Sequence, residues 1–249
     1  MRIERGHGWT LRLGRWQDVL DDVECDAMIS DPPYSARTHR GAASSRIGGE
    51  VMKTLIDYSS MSEGDAVTFA NHWHFKTKSW CVAIEDHITW QIMISEWARL
   101  GRYTFAPVPF VEPGKSPRVT GDGPASWSCY VAAARPKQKR FSGWGSLPGA
   151  YVESGGGRKR EMLGGKPEWL MRALVRDYSL PGDLVCDPCA GAGTTLLAAI
   201  TEGRRAIGAE CDPATFELAV KRLRKGCTPD LFSIEPTTQT QTDMFKGES

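Results

Sequence analysis

The sequence predicts an α/β protein built on an open, mainly parallel sheet with helices on both faces, and three observations predict it. Ala27-Met28-Ile29 is a short apolar run that stops at a stiff polar turn, Asp31-Pro32-Pro33-Tyr34. Leu184 to Thr195 passes from a second apolar run through Gly191 and Gly193 into a helical stretch, and Arg205 to Ala209 follows as a strand closed by Glu210. The chain's 249 residues can bury one sizeable core with room for a modest insertion, but hardly a second full domain.

Taken in order, Trp9 to Leu13 reads as a strand and Gly14 to Leu20 as a turn with a short helix. Ala27-Met28-Ile29 lacks polar alternation, as expected of a parallel strand covered on both faces. The end of such a strand is where an open sheet meets a ligand. Pro32 and Pro33 fix φ and remove two backbone donors, so the turn is stiff and its carbonyls point outward. Asp31 adds a carboxylate, Pro32 a carbonyl and Tyr34 an aromatic face. An exocyclic amino group on a nucleobase needs such a set, two acceptors and a ring to stack on. The plainer alternative is a rigid turn with an incidental acid, and four residues do not decide between them.

Residues 35–53 follow, rich in Gly, Ser and Arg, with Arg37, Arg40, Arg46 and Lys53 against Glu50. They read as a basic loop able to close over an extruded base and touch phosphates, the alternative being an ordinary solvated loop. Ser79 to Ile84 is expected as a strand, Asp86 to Arg99 as a helix ended by Gly101, and 102–111 and 126–134 as two more strands. Trp90 and Trp97 lie seven apart on that helix and are read as core. His72 and His74 flank Trp73 with no third ligand at a suitable spacing, and the five histidines suggest no metal site.

Residues 135–160 change character. Arg135, Lys137, Lys139, Arg140, Arg158, Lys159 and Arg160 face a single acid, Glu153, in a chain whose net charge is only +1. Phe141, Trp144 and Tyr151 are interleaved with glycines, a pattern that suggests a nucleic-acid contact region. Arginines here are expected to read guanine edges and lysines to anchor phosphates, a charged surface loop being the alternative.

Beyond it, the glycines at 191 and 193 let a backbone approach a ligand closely, and the new helix offers N–H groups to a carboxylate or phosphate. Glu210, ending the second strand of this β-α-β unit, is placed for ribose hydroxyls. The loop Gly191-Ala192-Gly193-Thr194-Thr195 lacks the third glycine of the dinucleotide fingerprint, which weighs against a nicotinamide-dependent oxidoreductase. Cys186 and Cys189 form a C-x-x-C inside this turn. With no second pair they read as a buried small hydrophobe and a loop residue, a redox role being the minor alternative. Asp212-Pro213 reads as a helix cap, with a helix from about 214 to 225 whose basic last turns the helix dipole explains.

Together these motifs resemble the DNA amino-methyltransferases, which methylate adenine N6 or cytosine N4 with S-adenosylmethionine. The family carries a D-P-P-Y motif and a D-P-F-x-G-x-G-T-T motif, matched here by Asp31-Pro32-Pro33-Tyr34 and by Asp187-Pro188-Cys189 through Thr195. Lys166-Pro167-Glu168-Trp169-Leu170 resembles the family's K-P-x-x-L segment, and the catalytic motif precedes the cofactor motif as in the permuted β group. The resemblance implies a Rossmann-like, circularly permuted methyltransferase fold with a mainly parallel seven-stranded sheet. It implies a methyltransferase domain over 1–227, a short target-recognition insert at 135–160 and a flexible tail from 228 to 249.

It also assigns roles. Asp31, Pro32, Pro33 and Tyr34 become catalytic; Asp187, Pro188, Cys189, Gly191, Gly193, Thr194, Thr195, Glu210 and Lys166 bind S-adenosylmethionine. Arg37, Arg40, Arg46, Lys137, Lys139, Arg140, Trp144, Arg158, Lys159 and Arg160 meet double-stranded DNA. The expected activity is site-specific adenine-N6 methylation with base flipping, as in restriction-modification systems; cytosine-N4 methylation and an inactive DNA-binding homologue are the alternatives. The family's opening acid near the cofactor adenine is missing, since Gly14 is followed by Arg15 and Trp16, leaving Asp18, Trp16 or apolar contacts in its place. The short insert leads to an expectation of a brief recognition sequence or of a homodimer. Gln241-Thr242-Asp243-Met244-Phe245 resembles a sliding-clamp docking peptide, with chance as the competing reading. With no signal peptide and no apolar run long enough for a membrane, the expected place is the cytoplasm of a prokaryotic or phage-infected cell, close to the nucleoid.

Overall fold

The computed structural model describes residues 1–38, 46–47, 50–51, 60–114, 123–138, 144–153 and 165–226. Its elements run β1 (Arg2–Gly6), β2 (Trp9–Leu13), α1 (Trp16–Val19), β3 (Ala27–Ser30), the small antiparallel pair β4 (Arg46–Ile47) and β5 (Glu50–Val51), and α2 (Glu63–Lys76). Then come β6 (Cys81–Glu85), α3 (Thr89–Arg99), β7 (Arg102–Thr104), β8 (Val108–Val111), β9 (Ser128–Pro136) and β10 (Tyr151–Val152). The chain closes with α4 (Glu168–Tyr178), β11 (Leu184–Asp187), α5 (Thr194–Thr201), β12 (Arg205–Glu210) and α6 (Pro213–Gly226).

One sheet carries the order β1-β2-β12-β11-β3-β6-β9-β8-β10, with β7 also on β9. Its centre, β2-β12-β11-β3-β6, is parallel throughout. The expected seven strands become ten among the described residues. β1 is an antiparallel edge strand whose Arg2, Glu4 and Arg5 leave no apolar run to read. β10 is two residues long, and the expected 102–111 strand divides in two. Thr104 pairs with Ala134 and Val108 with Val131, four steps against three, so one residue is surplus and the strand bulges beside Pro107, which has no N–H for the ladder.

Alternation along the buried strands builds two cores. Ala27 and Ile29, Val82 and Ile84, and Val185 face one side, where Leu170, Leu174, Leu196, Phe216 and Leu223 of α4, α5 and α6 pack. Met28, Cys81, Ala83 and Cys186 face the other, against Phe69, Trp73, Met93 and Trp97 of α2 and α3. Trp97 is fully buried and Trp90 partly so, as their spacing predicts. Helix α2 was not anticipated, although Ala66, Phe69, Ala70 and Trp73 make an i, i+3, i+4, i+7 stripe and Ser62 and Asp65 form a capping box.

Connectivity places the two motifs. The chain leaves β3 through α2 toward β6 on one side, and leaves β11 through α5 toward β12 on the other. The reversal falls between β3 and β11, which are adjacent and parallel. Such a switch point opens a crevice at the carboxyl ends of the strands, and both motifs begin there.

Candidate active site

Asp31 is the first residue past β3. Its carboxylate is gripped by Lys166, whose Nζ lies 2.7 Å from Oδ1 and 2.8 Å from Oδ2. Lys166 precedes α4, which packs on the face to which Ala27 and Ile29 point, so the alternation of β3 delivers Asp31 to it. The same ammonium lies 4.8 Å from the centroid of the Tyr34 ring. The Tyr34 hydroxyl is buried, and desolvation beside Asp31 and Cys129 holds it well above the usual phenol range. Pro32 is buried and Pro33 half-buried.

The turn is anchored from behind by Asp86, just past β6. One of its oxygens accepts from the Ser35 N–H, the Ser35 hydroxyl and the Thr38 hydroxyl; the other accepts from Ile88 N–H, Thr89 N–H and the Thr89 hydroxyl. Burial would raise this acid, but the donors from Ser35, Thr38 and Thr89 outweigh it and hold the carboxyl well below its ordinary range. Its neighbour Glu85 is fully buried and forms no ion pair among the described residues; desolvation pushes it well above the usual carboxylate range, with Asp31 and Asp86 adding to the effect against Thr89 and Lys166.

Across the switch point, Asp187 ends β11 fully buried. Oδ1 accepts from the Ser30 hydroxyl at 2.7 Å and from the Cys189 N–H at 3.0 Å, and Thr195 bonds the same carboxyl. Desolvation nevertheless dominates and lifts its pKa to about 6. The Ser30–Asp187 bond joins the last residue of the first motif's strand to the first residue of the second motif. Gly191 and Gly193 take φ values of 51° and 78°, which L side chains rarely adopt, and a Cβ at Gly193 would stand 3.3 Å from Ala219 Cβ. Arg222 of α6 braces this turn from beneath, donating to the Ala192 carbonyl at 2.6 Å and to the Thr194 hydroxyl at 3.1 Å. Both threonine hydroxyls are thereby engaged by protein groups, and the backbone N–H groups opening α5 are the donors this turn offers to an anion.

Glu210 ends β12, partly buried. Its Oε1 accepts from the Asp212 N–H at 2.7 Å, and burial, opposed by backbone donors of Asp212, Gly191 and Cys211, raises its pKa. Asp212 caps α6 through the Thr215 N–H at 2.7 Å, as its sequence context predicts. Where the family's opening acid is missing, Gly14 N–H bonds the Glu210 carbonyl at 2.9 Å. Trp16 is occupied with packing, its ring centroid 5.6 Å from Phe69 and 4.9 Å from His72, and Asp18 is exposed.

The expected DNA contacts divide. Arg37 is exposed one turn beyond Tyr34. Lys137 is exposed but follows β9, whose end lies beside the start of β6, at the far edge of the sheet from Asp31. Trp144 is packed edge-on against Trp80, with centroids 5.7 Å apart, at that same far edge; this ring joins the core cluster, a use that its place among basic residues did not announce. Arg40, Lys139, Arg140, Arg158, Lys159, Arg160 and Gln241–Phe245 lie outside the described residues, and of Arg46 only the backbone in β4 is described. Glu153 and Lys166, on either side of 154–164, both lie at the carboxyl edge. Among the described residues no cluster of three or more His, Cys, Asp or Glu could hold a metal ion, and no helix is long and apolar enough to cross a membrane.

A centrally parallel α/β sheet with a glycine turn and an acid at its switch point is consistent with the Rossmann-like methyltransferase fold, and solved structures of that class superpose on the chain. The M1.HpyAVI–SAM complex does so with a TM-score of 0.64 at 18% identity, covering 86% of this chain and 98% of that one. A putative DNA modification methylase from Thermus thermophilus, complexed with S-adenosyl-L-methionine, gives 0.59 at 21% identity over 88% of this chain and 96% of its own. Residues 151–221 match the family model for DNA methylases, N6_N4_Mtase. The DNA adenine methyltransferase YhdJ of Escherichia coli (strain K12) is 41% identical over 58 residues, 23% of this chain and 20% of that protein. The type II methyltransferase M.MjaI of Methanocaldococcus jannaschii is 50% identical over 57 residues, 23% of this chain and 19% of its own length. The matched stretch thus spans about a fifth of these relatives. The resemblance to DNA amino-methyltransferases that the motifs carry is borne out.

Proposed function

We propose that the protein transfers a methyl group from S-adenosylmethionine to an exocyclic amino group of a base in double-stranded DNA, adenine N6 being the preferred target. The observation that carries this reading is the meeting of Asp31 and the Gly191–Gly193 turn on neighbouring parallel strands, tied by the Ser30–Asp187 bond. The residues around that turn suit the cofactor. Asp187 is a buried acid with, among the described residues, only neutral donors bonded to it, ready for the methionine ammonium group. The left-handed backbone at Gly191 and Gly193 favours glycine and keeps the turn slim, the N–H groups opening α5 suit the carboxylate, and Glu210 suits the ribose. Pro188, Cys189, Thr194 and Thr195 shape this cradle. S-adenosylmethionine supplies an electrophilic methyl group there.

Asp31 and the Pro32 carbonyl accept the two N–H bonds of the target amino group and draw its nitrogen toward sp³, aiming the lone pair across the switch point. Tyr34 stacks on the extruded base and replaces part of its lost stacking. Asp31 offsets the positive charge that builds on nitrogen and takes up the proton, so positioning and electrostatics supply most of the rate. Asp86 keeps the turn in place during this work. Arg37, together with Arg158, Lys159 and Arg160, which fall between carboxyl-edge residues Glu153 and Lys166, supplies DNA contacts. The Asp at the head of D-P-P-Y favours adenine over cytosine within the family pattern.

Incubation with labelled S-adenosylmethionine and duplex DNA tests the activity: methyl incorporation is expected, and its absence across genomic DNA of varied composition would overturn the reading. Sequencing modified bases in DNA from cells expressing the protein then separates N6-methyladenine from N4-methylcytosine.

A further inference from the structure

Lys166 stands where the target should be. Its ammonium nitrogen contacts both oxygens of Asp31 at 2.7 and 2.8 Å and lies 4.8 Å from the Tyr34 centroid. In the proposed reaction a base's amino nitrogen needs the same carboxylate and its ring needs the same aromatic face. The lysine side chain is only 7% exposed, so this is a seated group rather than a surface ion pair.

Charge sharpens the conflict. Methyl transfer brings a sulfonium and a developing cationic nitrogen up to Asp31, and a lysine ammonium held on the same carboxylate would repel both. We propose that Lys166 is an internal occupant of the target-amino subsite, and that it must release Asp31 before a base can enter. This rests on the methyltransferase reading. The cofactor's carboxylate is the chemistry that would draw the lysine away, since an anion entering the crevice that Lys166 borders offers its ammonium a second partner. Order follows: the cofactor binds first, the lysine withdraws, and the extruded base takes its seat.

The test uses a duplex carrying 2-aminopurine beside the target base, once the modified site has been mapped. Fluorescence of this neighbour, which rises when the target base leaves the stack, is read with and without S-adenosylhomocysteine, which keeps the carboxylate and lacks the methyl group. Wild-type protein is expected to brighten the probe only with S-adenosylhomocysteine, and Lys166→Arg, which retains a cation, to behave the same. Lys166→Met should brighten it without the ligand, about tenfold more than wild type does. Lys166→Gln replaces the Met variant if circular dichroism shows that the latter fails to fold. Equal ligand-free signals from wild type and the neutral variants would overturn the inference. Failure of the underlying reading looks different: wild-type protein would then transfer no labelled methyl group to any DNA.

Discussion

Asp31 and Asp187 occupy equivalent places, each at the carboxyl end of a central parallel strand and on either side of one crevice, yet their surroundings are opposite. Asp31 is partly open and held in an ion pair by Lys166. Asp187 is sealed in and, among the described residues, bonded only to neutral donors, with its pKa lifted to about 6. On the proposed function, a carboxylate that meets a neutral amino group stays accessible. One that must meet an ammonium group is kept waiting in an apolar wall, where a cation repays its desolvation. On that function, the difference between the two acids is a difference between the ligands they receive.

Exchanging their roles is the most direct way to break this contrast. Asp31→Ala is expected to lower the methyl-transfer rate by on the order of 10³-fold while cofactor affinity by calorimetry stays within a few-fold; near-normal turnover would remove Asp31 from the chemistry. Asp187→Asn should do the reverse, weakening cofactor binding by roughly 2 kcal/mol through loss of a charge-assisted contact, with a smaller change in rate once the site is saturated.

Acidity sharpens the comparison further. Cofactor affinity should rise as pH increases to about 6, where Asp187 ionises, and then level off; below that point it should fall about tenfold per unit. The stability term has the opposite sign. Because the folded-state pKa is raised, the contribution of Asp187 is present below about pH 4, near the ordinary carboxylate value, and is lost as pH climbs through about 6. Thermal melts of Asp187→Asn should lack that slope. The smallest effect is expected for Arg222→Ala, which removes the brace under the glycine turn and should cost about 1 kcal/mol of stability with a few-fold loss in cofactor affinity.

Both ends of the crevice were legible because each packs its chemistry into a few consecutive residues: a proline-stiffened acid in one, and glycines between a strand and a helix in the other. The contacts that govern those ends were not. Lys166 was legible from its motif as a cofactor residue, but not as the partner it becomes for Asp31 across 135 positions of chain; Asp86 gathers Ser35 and Thr38 from a different strand end, and Arg222 reaches the glycine turn from the far side of α6. Such contacts depend on which strands become neighbours and in what register, and local spacing does not encode that. Trp144 shows the converse: its basic, glycine-rich surroundings suggested nucleic acid, while Trp80 had a packing place for it. Strand β1 escaped notice because its charges mask a pairing that edge strands satisfy through backbone alone.

The ladder between β3 and β11, with Ala27 opposite Val185 and Met28 opposite Cys186, has one more consequence. It works as a ruler that sets the gap between giver and taker. Sliding β3 by a single residue would displace Asp31 by about 3.3 Å and turn it to the opposite side of the sheet, away from Lys166 and the glycine turn together. A one-residue insertion between Ala27 and Ser30 should therefore silence the protein even if it folds, because the two halves of the crevice would no longer be in step.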